Sequence, residues 1–261
     1  MDPVQHIRPD AIWLATATEA EAAPLRRRLD VHIIDTGGTL AASRDGRIAL
    51  LRTGCGPAAV TRTVASLGAD LQVERIVACG LAGALAPHLH LGDLVIAEQV
   101  HTMEGERIPL DLALARAAEE RLTAAGLPCH RGTIFTPPGI LTEPAGKRAW
   151  HRLTGALAVD TESGAWARLG RERGWPLLIL RSILDTATEL LPRWIETLVT
   201  PEGRIAWPKV AKLLRRHPTA LMSLVRMSRQ RRRAIRPLAE AVVGMALTAA
   251  PPLTRERVQI P

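Results

Sequence analysis

The regular alternation of short β-rich apolar runs with helical stretches constrains this chain more than any other feature. AIWLATA (11–17) reads as a strand and EAEAAPLRRRL (19–29) as the helix after it, with Thr18 placed as N-cap. VHIIDT (31–36) and RIALLRT (47–53) read as strands beside turns at Gly37-Gly38 and Asp45-Gly46. PAAVTRTVASLG (57–68) opens on Pro and closes on Gly, as helices prefer. RIVACG (75–80), DLVIAEQV (93–100), RGTIF (131–135), ALAVD (156–160) and PLLILRSIL (176–184) complete the strands, with helices over 110–126 and 162–174. This order predicts an α/β fold: a mixed central sheet flanked by helices.

After Asp185 the pattern changes. Pro192, Pro201, Pro208 and Pro218 punctuate short pieces, and 209–217 and 219–235 read as amphipathic helices with Arg-rich faces. A small-residue helix over 239–250 and a loose tail from Pro251 follow. The expected division is an α/β domain over 1–200 and a basic helical C-terminal extension over 201–261, packed on or beside it. Charge supports that boundary. The chain carries a net +8, yet residues 201–240 alone hold eleven Lys or Arg against two Glu, so the rest is close to neutral. A uniformly basic nucleic-acid-binding domain is therefore not the expected reading, although a basic segment that touches phosphates stays open.

The first residues, MDPVQHIRPD, lack the pattern of a signal peptide, and no apolar run approaches the roughly 20 residues of a membrane-spanning helix. A cytoplasmic protein is expected. Cys55, Cys79 and Cys129 are odd in number and widely spaced, which suits buried thiols rather than a disulfide framework or a CxxC site. His88 and His90 have no carboxylate or Cys at ligand spacing and read as surface residues, so no metal or other cofactor is expected.

In open α/β sheets, sites gather where strands end and loops open. Three stretches qualify: TEAEAAPL (18–25), CGLAGALAPHLHLGDLV (79–95), and the pair AVDTES (158–163) and LRSILDTAT (180–188). Singly, each has an ordinary explanation. Glu19 and Glu21 suit the first turn of a helix, Gly80 and Gly83 a tight turn, and Asp160, Glu162 and Asp185 caps.

Taken in order, GCGPAAV, CGLAGALAPHLHLGDLV, AVDTESGA and LRSILDTAT resemble the nucleoside phosphorylase and nucleosidase superfamily over about residues 11–190. The resemblance implies that Asp185 is the general acid and that Glu162, with Asp160 and Thr161 beside it, meets ribose hydroxyls. It also implies that Glu21 activates water and that Gly80, Leu81, Ala82 and Gly83 line the substrate. An acid is needed because an anionic purine leaves poorly from a sugar turning into an oxocarbenium ion. An Asp in an apolar loop, beside Ile183, Leu184 and Ala187, would keep its proton, and its second oxygen suits a 6-aminopurine.

Phosphorylases of this superfamily place an Arg before the glycine-rich turn and a Ser within it. Here Ala78 and Leu81 stand there, and neither holds phosphate. Hydrolysis is thus favoured, with Arg26, Arg27, Arg28 or Arg52 left as possible substitute cations. The small hydrolases acting on methylthioadenosine and adenosylhomocysteine differ at Thr161 and Ile140. With no Tyr in the chain, base stacking falls to Phe135 or aliphatic groups. The nearest similarity, in VDTES, the LLPRW loop and the Arg-rich C-terminus, is to the hopanoid-associated phosphorylase subfamily. That implies release of adenine from adenosylhopane to leave ribosylhopane, with residues 205–236, Trp194 and Trp207 meeting the inner membrane face. The superfamily resemblance also implies homo-oligomers. The alternatives are a phosphate-dependent purine nucleoside phosphorylase, a methylthioadenosine-type nucleosidase, and a non-catalytic anionic-ligand or nucleic-acid-binding protein.

Overall fold

The computed structural model describes residues 3–68, 71–200 and 202–247. The elements run β1 (Ile12–Thr16), α1 (Glu19–Arg28), β2 (Val31–Ile33), β3 (Leu40–Ser43), β4 (Ile48–Arg52), α2 (Pro57–Ser66), β5 (Arg75–Ala84), β6 (Leu94–Thr102) and β7 (Arg107–Pro109). They continue with α3 (Leu112–Ala124), β8 (Cys129–Thr136), α4 (Pro144–Thr154), β9 (Ala158–Val159), α5 (Ser163–Arg173), β10 (Leu177–Asp185), α6 (Trp207–Arg216) and α7 (Ala220–Leu247). The mixed sheet flanked by helices is as expected. β3, β7 and α4 had no counterpart in the sequence reading, and the two helices expected over 219–235 and 239–250 are one, continuous through Pro237. The last three residues expected in that helix and the tail from Pro251 lie outside the described residues.

The strands form one sheet in which β10 pairs with both β5 and β6. The pairings β5–β10, β10–β6, β6–β8, β8–β9 and β9–β5 therefore close a five-stranded barrel. From β5 the sheet runs on through β1, β4, β3 and β2 as an open wing. β5 belongs to both parts. Its first residues, Arg75 to Ala78, lie beside β1, and its last, Gly83 and Ala84, pair with β9. The strand thus changes partner between Ala78 and Gly83, the kind of switch point at which α/β folds bind ligands.

Period-two alternation explains the layers. Trp13, Ala15, Ile76, Ala78, Leu177 and Ile179 face one core, shared with Val60 and Val64 of α2 and with Ala165, Trp166 and Leu169 of α5. Ile12, Leu14, Val77, Cys79, Leu178 and Leu180 face the other, shared with α1, α3 and α7. From α7, that core takes Leu238, Ala239, Ala241, Val242, Met245 and Ala246. The second half of α7 is thus a layer of the core, whereas its Arg-rich first half lies toward solvent. Pro237 removes the helical bond to the carbonyl of Arg233, where α7 passes Gly92.

Candidate active site

The site is built around the point where β5 loses β1 as a neighbour. The last β1–β5 partners are Ala15 and Ala78, so the amide of Leu81 projects beyond the end of β1. Glu21 takes it, accepting the Leu81 N–H on Oε1 at 3.0 Å. The other oxygen of Glu21 accepts from the backbone N–H and hydroxyl of Thr18, each at 2.8 Å, while the Thr18 hydroxyl caps α1 in return. One side chain thus completes a capping box and, by the same geometry, points at β5.

Arg181 of β10 lies directly over Gly80. A Cβ placed on Gly80 would stand 2.6 Å from the guanidinium and 3.1 Å from Glu21 Oε1, so only glycine allows both groups this close to the strand. The guanidinium is buried, pairs with Asp160 and donates to the hydroxyl of Ser163 at 3.0 and 3.2 Å. Asp160 also accepts from the Ser163 amide at 3.0 Å, holding the start of α5. Burial works against the charge on Arg181, but the carboxylates of Asp160, Glu162 and Glu21 around it push its pKa up. One fixed cation thus stands among three carboxylates.

Glu162 precedes α5 and reaches across to the loop after β4. Its Oε1 accepts from the Gly56 amide at 2.7 Å and from the Thr161 hydroxyl at 2.6 Å; Oε2 takes part in neither bond. Burial, reinforced by Asp160, raises its pKa to about 6. Cys55, half-buried beside it, is pushed up to about 12 by burial and by the charges of Glu162 and Glu21. That thiol stays protonated at neutral pH and is no nucleophile.

Asp185 owes its place to a β-bulge. Ile183 pairs with Ala82, but Asp185 rather than Leu184 pairs with Gly83, because Leu184 is the extra residue. The slip re-aims the side chain, as bulges at sites commonly do. The carboxyl would lie 3.1 Å and 3.4 Å from a Cβ on Gly83, so this glycine too makes room for an acid. Asp185 is buried and paired with Lys147 of α4, whose ammonium also donates to the carbonyls of Thr186 at 2.9 Å and Glu189 at 3.3 Å. Burial pushes the Asp185 carboxyl up from its ordinary value and Lys147 pulls it back.

The structure therefore brings Glu21 and Asp185 onto the four-residue stretch Gly80-Leu81-Ala82-Gly83 and pairs Asp160 with Arg181 above Gly80, with Glu162 acting on the same cation and Thr161 bonded to Glu162. Two expected residues fall elsewhere. Phe135 is enclosed among Leu85, Ala156 and Val159 with its ring stacked on Trp150 at 4.2 Å, so it has no surface open to a base in this arrangement. Ile140 is 41% exposed, in the loop before α4, where its amide donates to Glu196 at 2.7 Å. Conversely, sequence reasoning assigns no role to Arg181 or Lys147. Arg181 carries a usable signal, as the one basic residue of the apolar strand LLILRSILD; Lys147 carries none, since Arg148 follows it and local pattern does not separate them.

None of the four arginines raised as substitute phosphate ligands faces Gly80. Arg26 pairs with Glu19 at 2.6 Å, and Arg27 and Arg28 are exposed near the end of α1. Arg52 donates to the carbonyls of Glu202 at 2.6 Å and Gly38 at 3.0 Å. His88 and His90 are exposed, and among the described residues no group of His, Cys, Asp and Glu is arranged to hold a metal ion.

Residues 11–216 match the family model described as the phosphorylase superfamily. The chain belongs to that superfamily. Similar solved folds include the methylthioadenosine/S-adenosylhomocysteine nucleosidase of Helicobacter pylori, at a TM-score of 0.70 and 19% identity over 90% of this chain and 97% of that one. The nucleosidase of the same activity from S. pneumoniae gives 0.70 and 18% over 92% and 100%. The futalosine hydrolase of Helicobacter pylori gives 0.70 and 18% over 90% and 97%. At these identities the likeness is one of fold, and within a superfamily the reaction has to be argued from the site.

Proposed function

We propose that this enzyme hydrolyses the N-glycosidic bond of an adenosine derivative and releases adenine. The observation that carries this is the convergence of Glu21, Arg181 and Asp185 on the Gly80–Gly83 stretch of β5, with Glu162 acting on the same Arg181. In the proposed reaction Glu162 Oε2 accepts hydrogen bonds from ribose hydroxyls. Protonated Asp185 gives its proton to N7 of the departing base, so the electron pair of the C1′–N9 bond leaves on a neutral purine. Water adds to C1′ and loses a proton to Glu21, which Leu81 and Thr18 hold in place. Catalysis of this kind by a positioned acid or base contributes about 10² to 10⁴ in rate.

Hydrolysis is favoured over phosphorolysis by charge. Arg181 is already matched by Asp160, Glu162 and Glu21, so a phosphate dianion beside Gly80 would meet excess negative charge. Among the substrate readings, a lipid-linked nucleoside such as adenosylhopane is supported by the C-terminal surface. Between Gly203 and Ala239 there is no acidic residue, and Trp207, Leu221, Met222 and Val225 are exposed on α6 and the first turns of α7 among Lys209, Lys212, Arg215, Arg216 and Arg226. Exposed apolar side chains interspersed with cations suit an anionic leaflet. We place the protein peripherally on such a surface, as a homo-oligomer.

The test is adenine release from adenosylhopane, methylthioadenosine and adenosine, each with and without phosphate. Phosphate-independent release is expected, and Asp185→Asn is expected to lose at least about 10²-fold in kcat. Near-normal turnover in that variant removes the assignment of the acid, and strict dependence on phosphate removes hydrolysis.

A further inference from the structure

A fully buried lysine is costly unless its charge is matched, and Lys147 has no exposure at all. Packing alone would be served as well by Met or Leu. Lys147 instead spends all its donors on the acid and its loop: the Asp185 carboxylate, the Thr186 carbonyl and the Glu189 carbonyl. Glu189 is in turn fixed from outside. Its two carboxylate oxygens each accept from Gln230 Nε2 at 2.9 Å, and Arg226 stands 3.5 Å away. A continuous set of polar contacts therefore runs from the Arg-rich half of α7 through Glu189 and Lys147 to Asp185.

We propose that Lys147 is a positioning residue for the proton transfer, anchoring Asp185 through Oδ2 and leaving Oδ1 for the purine, and that α7 holds this arrangement through Glu189. The inference rests on the reading of Asp185 as the acid. Before transfer Asp185 is neutral and after it Asp185 is a carboxylate, so the ammonium stabilises the state in which the proton has left. Burial favours the protonated form before the base arrives, and Lys147 favours the carboxylate left behind. Glu189 acts in the opposite sense, its negative charge raising the Asp185 pKa. The charged groups facing Asp185 are Lys147 from α4 and Glu189 from its own loop. Arg226 of α7 faces Glu189, and Arg181 of β10, Asp160 and Glu162 ahead of α5, and Glu21 of α1 form the second charged group along β5.

The experiment is the pH profile of kcat for adenine release from methylthioadenosine, or from adenosylhopane where that nucleoside alone is cleaved, in wild type, Lys147→Met and Glu189→Gln. Activity that needs protonated Asp185 falls on the alkaline side. Lys147→Met is expected to move that limb up by about one pH unit or more. It is also expected to lower kcat at the optimum about 10-fold or more with KM changed less than about threefold. Glu189→Gln is expected to move the same limb down. Opposite displacements are something a merely structural role does not produce. An unmoved limb in folded Lys147→Met, or displacement of both variants in one direction, overturns the proposal. Should Lys147→Met fail to fold, Glu189→Gln decides alone, an unmoved limb again overturning it. Asp185→Asn separates the two levels: if it is inactive while the limbs stay put, only the role of Lys147 falls, and if it is active the acid assignment itself falls.

Discussion

Replacing Gly80 by Ala tests the packing of the site with a single methyl group. The new Cβ would lie 2.6 Å from the Arg181 guanidinium, about 1 Å inside ordinary contact. The far end of an arginine usually yields at little cost. Here it is 3% exposed, paired with Asp160 and bonded to Ser163, so moving it breaks a buried charged contact or drags α5's first turn along. Overpacking of this kind costs about 1–3 kcal/mol, and a misplacement of about 1 Å at a reacting centre costs about 10²-fold in rate. Gly132→Ala is the control. Its Cβ would lie 2.7 Å from Leu157 Cδ1, an overlap of the same size against an apolar side chain away from the site. Both variants are expected to lose comparable stability in urea unfolding. Only Gly80→Ala is expected to lose about 10²-fold in kcat/KM, with Gly132→Ala within about threefold of wild type. Equal activity losses in the two folded variants, or normal activity in Gly80→Ala, would refute the claim that Arg181 must sit where it does.

Glu21→Gln is expected to slow hydrolysis by about 10² or more and to cost about 1–3 kcal/mol, since its one amide oxygen serves either Thr18 or the Leu81 amide but not both; a normal rate in phosphate-free buffer points to another base. The Glu162 carboxyl, raised from 4.5 to about 6, destabilises the fold once ionised, so its share of stability is present below about pH 4.5 and is lost as pH rises through about 6. Comparing wild type with Glu162→Gln by urea unfolding between pH 4.5 and 7.5 should show about 2 kcal/mol of that decline disappearing in the variant, and parallel pH curves would contradict it. Leu221→Asp with Met222→Asp is expected to weaken sedimentation with vesicles containing anionic lipid while leaving turnover of a water-soluble nucleoside unchanged; undiminished binding returns the α6–α7 surface to plain solvent exposure. Deleting everything beyond residue 205 is a poorer test, because Leu238, Val242 and Met245 would leave the core with it.

How much of this was legible in the sequence follows from which forces are local. β1, β5 and β10 could be read because a strand buried on both faces must be apolar throughout, and α5 because its turn residues and amphipathic face stand together. α4 is not legible because EPAGKRAWHRLT is charged and has few apolar positions; besides Trp150 against Phe135, what it buries is one lysine, which no periodicity records. β3 was missed because LAAS is short and weakly β-forming and becomes a strand only by pairing with β2 and β4. The acids were legible one at a time, as cap and strand-end residues. Their convergence was not, since it depends on a β-bulge and on one strand serving both a barrel and an open sheet.

That shared strand also explains why the chemistry sits where it does. A strand flanked on both sides spends its amides on its neighbours, but β5 between Ala78 and Gly83 has left β1 and not yet met β9 on that edge. The exposed amide of Leu81 demands an acceptor, and the two glycines remove the side chains that would keep one away. Glu21 satisfies the backbone, and Arg181 and Asp185 take the space the glycines leave. The same vacancy that the fold must fill with polar groups is thus the vacancy beside which Glu21, Arg181 and Asp185 stand, the first and last of them the proposed base and acid. Any change that let β1 run two residues further would cap Leu81 with a backbone carbonyl and deprive Glu21 of its reason to be there. For this fold the site is therefore a consequence of where β1 stops.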